Sequence, residues 1–503
     1  MASMKLRAIA SRCLPVVLSV SAFLIGCGGG GSTTGGTGGG GGTNPPPSTA
    51  NEWTWMSGSS TVQLMANGFY GQSGVYGTLG VASSGNVPGG RIGAVSWSDG
   101  DGNLWLFGGN GYDSTGTLGI LNDLWEFSPT AKTWTWVSGS NTGTADGSLH
   151  GTAGIYGTLG VPSVANLPGE RDGAIGWADS SGNLWLFGGA GYDSTGALGD
   201  LNDLWEFSPT TKEWAWMGGS DTEGAAGVYG TEGTPSVSNV PGARYLSVSW
   251  TDKSGNFWLF GGSGGPGNDL WEFSPATKTW TWVSGSSTVG NNPGVYGMQG
   301  VASASNVPGA RGEAVSWIDG SGNLWLFGGE GGPTGILNDL WEFNPTNKEW
   351  TWVSGSDTGG TGGVYGTLGT PATNNVPGGR WNPAGWIDSS GNLWLFGGQG
   401  LDSTGTSGWL NDLWEFNSTT KEWTWMGGSN TTYANAGQYQ PDRGQPGVYG
   451  AEGVPAATNV PGGRYYAASW TDSSGNFWLF GGQGHDSTAT QIGSLNDLWR
   501  YQP

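Results

Sequence analysis

Cysteine is almost absent: two occur in 503 residues, Cys13 and Cys27. With both near the start, the rest of the chain has no disulfide framework and no Cys-based metal site. Histidine is as scarce, leaving His150 and His485 as the only imidazoles for metal or acid–base chemistry. Charged residues make up 11%, and positive charge is the scarcer sign, 17 Lys+Arg against 38 Asp+Glu for a net charge of −21. That balance repels phosphate backbones, and no Lys/Arg run occurs beyond the extreme N-terminus, so nucleic acid is excluded as a partner while cations and uncharged ligands fit. The apolar run CLPVVLSVSAFLIG, residues 13–26, is too short for a comfortable membrane span. What abounds is glycine, 102 residues, and tryptophan, 32, the composition of turns and aromatic strands.

The N-terminus reads as an address. Lys5, Arg7 and Arg12 precede the apolar run, the order of a secretory signal over residues 1–26. Leu24-Ile25-Gly26-Cys27 resembles the lipobox of bacterial lipoproteins. The resemblance implies acylation of Cys27 and a lipid-anchored place in the bacterial cell envelope. Gly28, where Asp would favour the inner membrane, points to the outer membrane or cell surface. Contact with the membrane is expected through this anchor only. Residues 27–50, rich in Gly, Ser, Thr and Pro, form a flexible linker spanning roughly 25 Å.

From residue 51 to 503 a repeat governs the sequence. Each of six units carries an Arg, a strand ending near Trp, a Gly-Asn turn, LWLFGG or FWLFGG, a loop, NDLW, and WTW or WAW. The arginines are Arg91, Arg171, Arg244, Arg311, Arg380 and Arg464. Short aromatic segments bounded by Gly, Pro, Ser and Asp predict four antiparallel strands per unit, here a to d, joined a–b and c–d by tight turns. This pattern resembles the kelch repeat, marked by a Gly-Gly pair ending the second strand, an aromatic in the third and a Trp in the fourth. The resemblance implies an all-β, six-bladed kelch-type β-propeller of the galactose oxidase-like superfamily over residues 51–503. Its units are longer than the ordinary kelch length of about 50 residues, since successive NDLW motifs lie 66 to 85 apart. The domain opens on a lone fourth strand, NEWTWM, and ends on a lone third strand, NDLWRYQP. The last blade is therefore expected to be closed by the N-terminal strand, in a single chain that works as a monomer.

Spacing locates the variable regions. The repeat Arg precedes the LW/FW Trp by 14 residues in all six units, while the stretch between Gly-Gly and Asn-Asp runs from 5 to 13 residues. The b–c and d–a loops carry the variation and share one face, the expected binding face. Thirty of the 32 tryptophans occupy repeat positions and read as core. Trp381 and Trp409 do not, and with Arg380, Asp402, Tyr465 and Tyr466 they form the expected sugar-binding cradle. Further candidates at the mouth are Arg464, Tyr245, Asp172 and Glu313, because the residues after each Arg differ from unit to unit. The six arginines admit two readings: a positive ring at the channel mouth, or internal pairing with the ND aspartates. The Tyr of each G-V/I-Y-G, including Tyr76 and Tyr365, reads as an anchor of its d–a loop.

A non-enzymatic binding module for a glycan or protein ligand is the leading functional reading. Two alternatives stand beside it: a structural or adhesive surface protein, and an enzyme on a small sugar acid, in the manner of the kelch-type sialic acid mutarotases. The copper enzymes of the superfamily imply two His, two Tyr and a Cys crosslinked to one Tyr, and this chain lacks that Cys and places its two His in different units. No catalytic or metal-ligating residue and no cofactor is assigned. Asp113, Asp193, Asp200, Asp402 and Asp486 are oxygen donors of the kind that hold Ca²⁺, but without EF-hand spacing they read as solvated loop acids.

Overall fold

A computed structural model describes residues 50–503, except 146, 147, 149, 266, 291, 332–334, 433–443 and 489. The expectations for the signal, Cys27 and nearly all of the linker lie outside the described residues. No helix occurs among the described residues, and every named strand pairing is antiparallel.

Six sheets follow one plan, clearest in the third. Val248–Thr251, Phe257–Phe260, Leu270–Ser274 and Thr279–Ser284 pair in sequence order as strands a to d. Asp252 builds the a–b turn, its Oδ1 accepting from the N–H groups of Ser254 (2.8 Å) and Asn256 (2.9 Å). Strand a alternates buried and half-buried residues, whereas all four residues of strand b are buried, because neighbouring sheets cover both faces of strand b. The last sheet takes Ala468–Thr471, Phe477–Phe480 and Leu498–Gln502 from the C-terminal region and its outermost strand, Glu52–Ser57, from the beginning, with Trp53 opposite Tyr501 and Trp55 opposite Trp499.

Tryptophan links sheet to sheet. Each strand-a indole donates to the backbone carbonyl of the strand-b Trp in the next sheet: Trp97 to Trp185, Trp177 to Trp258, Trp250 to Trp325, Trp317 to Trp394, Trp386 to Trp478, and Trp470 back to Trp105 at 2.9 Å. Rings fill the wedges between sheets, as where Trp177 stacks on Phe257 at 5.2 Å. Such contacts add about 0.5–1.5 kcal/mol each to the area they bury. Radial four-stranded sheets whose innermost strands meet around an axis make this a β-propeller.

The long d–a connections do not pile onto one face as expected. Each runs along the outer edge of strand d in the sheet it leads into. Gly80 N–H donates to Trp136 O at 2.8 Å, and Asn86 Nδ2 donates to Trp134 O and Val81 O, both at 3.0 Å. Asn166, Asn239, Asn306, Asn375 and Asn459 do the same in the other sheets. The added length of the repeat covers strand edges that would otherwise template aggregation.

Candidate functional site: the axial mouth

The repeat arginines define what the mouth is not. Arg244 grips Asp269 with a two-pronged contact, Nη1 to Oδ1 at 2.9 Å and Nη2 to Oδ2 at 2.7 Å. Asp269 Oδ2 also accepts from the Tyr229 hydroxyl and the Trp271 indole, both at 2.8 Å. Burial would push this carboxyl up, but Arg244 and the two further donors outweigh it and hold it below the usual carboxylate value. All six arginines form such pairs, each nearly inaccessible to solvent. Arg380 with Asp412 and Arg464 with Asp497 therefore leave the candidate ligand set: their donors are consumed inside the sheets, and there is no positive ring at the mouth. Internal pairing is the reading that fits, and the loop tyrosines anchor to the same aspartates.

Asp402 leaves the set as well. Buried, it accepts at Oδ1 from Thr404 N–H (2.8 Å), Thr404 Oγ1 (2.7 Å) and Thr406 N–H (2.9 Å), and at Oδ2 from Thr432 N–H (2.8 Å). Against the effect of burial, these donors hold its pKa below the ordinary value. Asp113, Asp193 and Asp486 are likewise buried turn acceptors, not solvated acids. Asp200, partly buried, is different: burial and then Glu223 raise it to about 6. Trp409, 4% exposed, packs against Tyr465 at 5.4 Å and His485 at 5.4 Å and belongs to the scaffold.

What remains converges on the axis. The residue two after each repeat Arg is Gly93, Gly173, Leu246, Glu313, Asn382 or Tyr466, and all six have a left-handed backbone, φ from 48° to 65°. This geometry lets five of the six N–H groups reach the preceding carbonyl around the axis: Gly173 to Gly93 (2.9 Å), Leu246 to Gly173 (2.7 Å), Glu313 to Leu246 (3.0 Å), Asn382 to Glu313 (2.8 Å) and Tyr466 to Asn382 (3.1 Å). Glycine takes this conformation freely; Leu, Glu, Asn and Tyr pay about 1 kcal/mol or more each. The ring and the residues that follow it line a cavity of about 160 Å³.

Inside it the Tyr466 hydroxyl donates to Glu313 Oε1 at 2.7 Å. Glu313 Oε2 and Asn382 Nδ2 are buried and close no full hydrogen bond among the described residues, although the Asn382 amide stands near enough to favour the Glu313 carboxylate. Burial, then repulsion from Glu330, drives the Glu313 carboxyl up to about 7, although the Tyr466 hydroxyl and the Asn382 amide pull it down. Burial and Glu313 raise the Tyr466 phenol. One position earlier stand Asp172, Tyr245, Trp381 and Tyr465. Trp381 is half-buried and meets Tyr465 edge-on at 5.1 Å and Tyr466 at 6.2 Å. Burial and nearby carboxylates, Asp200 first, raise the Tyr245 phenol. The structure thus groups Trp381, Tyr465 and Tyr466 of the predicted cradle with Glu313, Asp172 and Tyr245, and withdraws Trp409, Arg380 and Asp402. Sequence reasoning missed Asn382 and Leu246; the signal available was a non-glycine residue at a position where two of six units place Gly.

The described lysines, Lys132, Lys212, Lys253, Lys278, Lys348 and Lys421, all occupy a–b or c–d turns on the opposite face. The mouth is acidic and aromatic. Its walls are uneven: the b–c hairpins extend as long strands in the first, second and fifth sheets, Leu104–Ser128, Leu184–Ser208 and Leu393–Asn417, but strand b of the third sheet stops at Phe260. The low wall opens into a glycine-lined cleft of about 490 Å³ beside Glu330.

The fold and site define a β-propeller with an acidic, aromatic axial mouth. No family model matches the chain. Among characterised proteins it is similar to multiple epidermal growth factor-like domains protein 8 of Homo sapiens, 32% identical over 108 residues, and that of Rattus norvegicus, 31% over 102. These stretches are 21% and 20% of this chain and span only 3% of those proteins. The solved structure of YjhT overlaps 84% of this chain and 95% of its own with a TM-score of 0.46 and 14% identity.

Proposed function

We propose that the protein is a six-bladed kelch-type propeller, closed by its N-terminal strand and tethered to a bacterial envelope through acylated Cys27, that binds a glycan at its axial mouth without transforming it. The observation that carries this reading is the half-buried Trp381 flanked by Tyr465 and by Tyr466, which lines a small polar cavity together with Asn382, the neighbour of Trp381. An indole face stacks on the apolar side of a sugar while a few polar groups take its hydroxyls. A glycan array probed with the protein tests it, and Trp381→Ala is expected to weaken any array hit about ten-fold, with the melting temperature almost unchanged. A protein hit with no saccharide hit would move the reading to a protein ligand, and no hit of either kind would favour a structural role.

A second reading, an enzyme on a small sugar acid, draws on Glu313, whose value of about 7 suits proton transfer near neutral pH. It ranks second because the ligand's carboxylate would meet Asp172 and Glu313 with every axial arginine already paired. Turnover of sialic acid anomers followed by NMR, lost in Glu313→Gln, would establish it.

For the anchor, Cys27→Ser is expected to release the protein from the membrane fraction; equal retention of mutant and parent would sink that part of the proposal.

Glu313 also predicts a pH effect on stability. The folded carboxyl holds its proton to about 7, whereas the unfolded one ionises near the ordinary glutamate value. This group therefore subtracts stability as pH climbs from about 4.5 through 7. Urea midpoints of Glu313→Gln minus those of the parent should grow more positive over that window; a flat difference would contradict the assignment.

A further inference from the structure

We propose that the axial cavity recognises an amino sugar through its protonated amine, with Glu313 as the anionic partner and the Trp381, Tyr465 and Tyr466 rings against the sugar. This rests on the glycan-binding reading above and narrows it to one ligand class.

Three observations favour an amine over a neutral or acidic sugar. First, Glu313 Oε2 and Asn382 Nδ2, an acceptor and a donor on adjacent ring positions, stand near each other in the cavity without closing a full hydrogen bond. An amino sugar offers both complements, an ammonium for the carboxylate and a neighbouring hydroxyl oxygen for the amide. Second, among the described residues the charge around the mouth has one sign. Glu330 repels Glu313, Asp172 acts together with Glu313 on the Tyr245 and Tyr466 phenols, all six repeat arginines are paired inside their sheets, and the described lysines lie on the far face. A ligand carboxylate would enter that field at a cost, and an ammonium would relieve it. Third, the aromatic rings beside the carboxylates offer faces that attract a cation as well as a sugar. The cavity, about 160 Å³, suits one sugar ring and not a long chain, and the low wall at the third sheet leaves room beside it for the rest of an oligosaccharide.

The carboxylate form of Glu313 does the binding, so affinity for the amine should rise as pH climbs from 6 through about 7. The groups facing Glu313 that set this profile are Tyr466, with which it shares a hydrogen bond, the Asn382 amide, Glu330 and Tyr245, the last of which Asp172 also acts on.

The test titrates the full-length protein by calorimetry with glucosamine and its β-1,4 tetramer, with the N-acetylated counterparts, and with glucose. The expected result is at least ten-fold tighter binding of the free amines than of the acetylated sugars, a preference lost in Glu313→Gln and reduced in Asp172→Asn. Glu313→Gln can still accept the Tyr466 hydrogen bond, and Asp172→Asn alters a residue outside the row of left-handed axial residues, so one of the two reports even if the other misfolds. Equal binding of amine and acetylated forms, both lost in Trp381→Ala, would overturn the amine assignment while leaving glycan binding intact. Binding of none of these sugars, together with a neutral or acidic hit on the array, would overturn it too. Silence on both would remove the glycan reading itself.

Discussion

Deleting residues 1–56 is expected to unfold the protein at temperatures where a deletion of residues 1–50 leaves it folded. The six residues between the two cuts include all but the last residue of Glu52–Ser57, the outermost strand of the last sheet. Trp53 and Met56 on that strand are buried, Trp53 against Trp499 and Tyr501 and also against Trp386 and Phe396 of the adjacent sheet. Removing one buried Trp side chain costs about 3–5 kcal/mol. Losing the strand removes two tryptophans and bares the edge of Leu498–Gln502, against a total stability of about 5–15 kcal/mol for a typical protein. The comparison reads thermal melts of the two truncations side by side. Coincident melts would mean that the strand is an ornament and that the last sheet is complete without it.

The second large effect lies in the Arg–Asp pairs. Asp412→Ala should cost about 3–5 kcal/mol, because it strands the Arg380 guanidinium in a site almost without solvent contact and also orphans the Tyr365 hydroxyl and the Trp414 indole. Lys421→Ala is the matched control: its contacts with Glu342 at 3.3 Å and with the Trp325 ring at 4.4 Å are half-exposed, and a loss of only about 1 kcal/mol or less is expected. Urea unfolding of both variants gives the ratio. If Asp412→Ala proved as mild as Lys421→Ala, the buried pairs would not be holding the sheets in the way described.

Much of this was legible in the chain because it depends on short stretches. A spacing of 14 from Arg to Trp fixes a turn locally, and the Asp252 turn is made by residues two and four positions on. The complementary fragments at the two ends, NEWTWM and NDLWRYQP, already implied that they would meet, since a lone strand has exposed edges to satisfy. The scarcity of cations, too, was a property of composition alone.

The contents of the candidate site were not legible, because they depend on which distant groups claim one another's hydrogen bonds. Arg380 and Asp412 are 32 residues apart, and Tyr466 and Glu313 are 153 apart. A sequence shows both members of each pair as available. Asp402 looked like a free carboxylate until Thr432 closed over it, and Trp409 looked like a free ring until Tyr465 and His485 packed on it. The sequence by itself determined the sheets, their number of repeats and the sign of the charge, all set by local turns and composition. Only the tertiary structure decided which charges are spent inside the sheets and which face the axis, because bringing six units around one axis placed Glu313, Asn382 and Tyr466 in a single cavity.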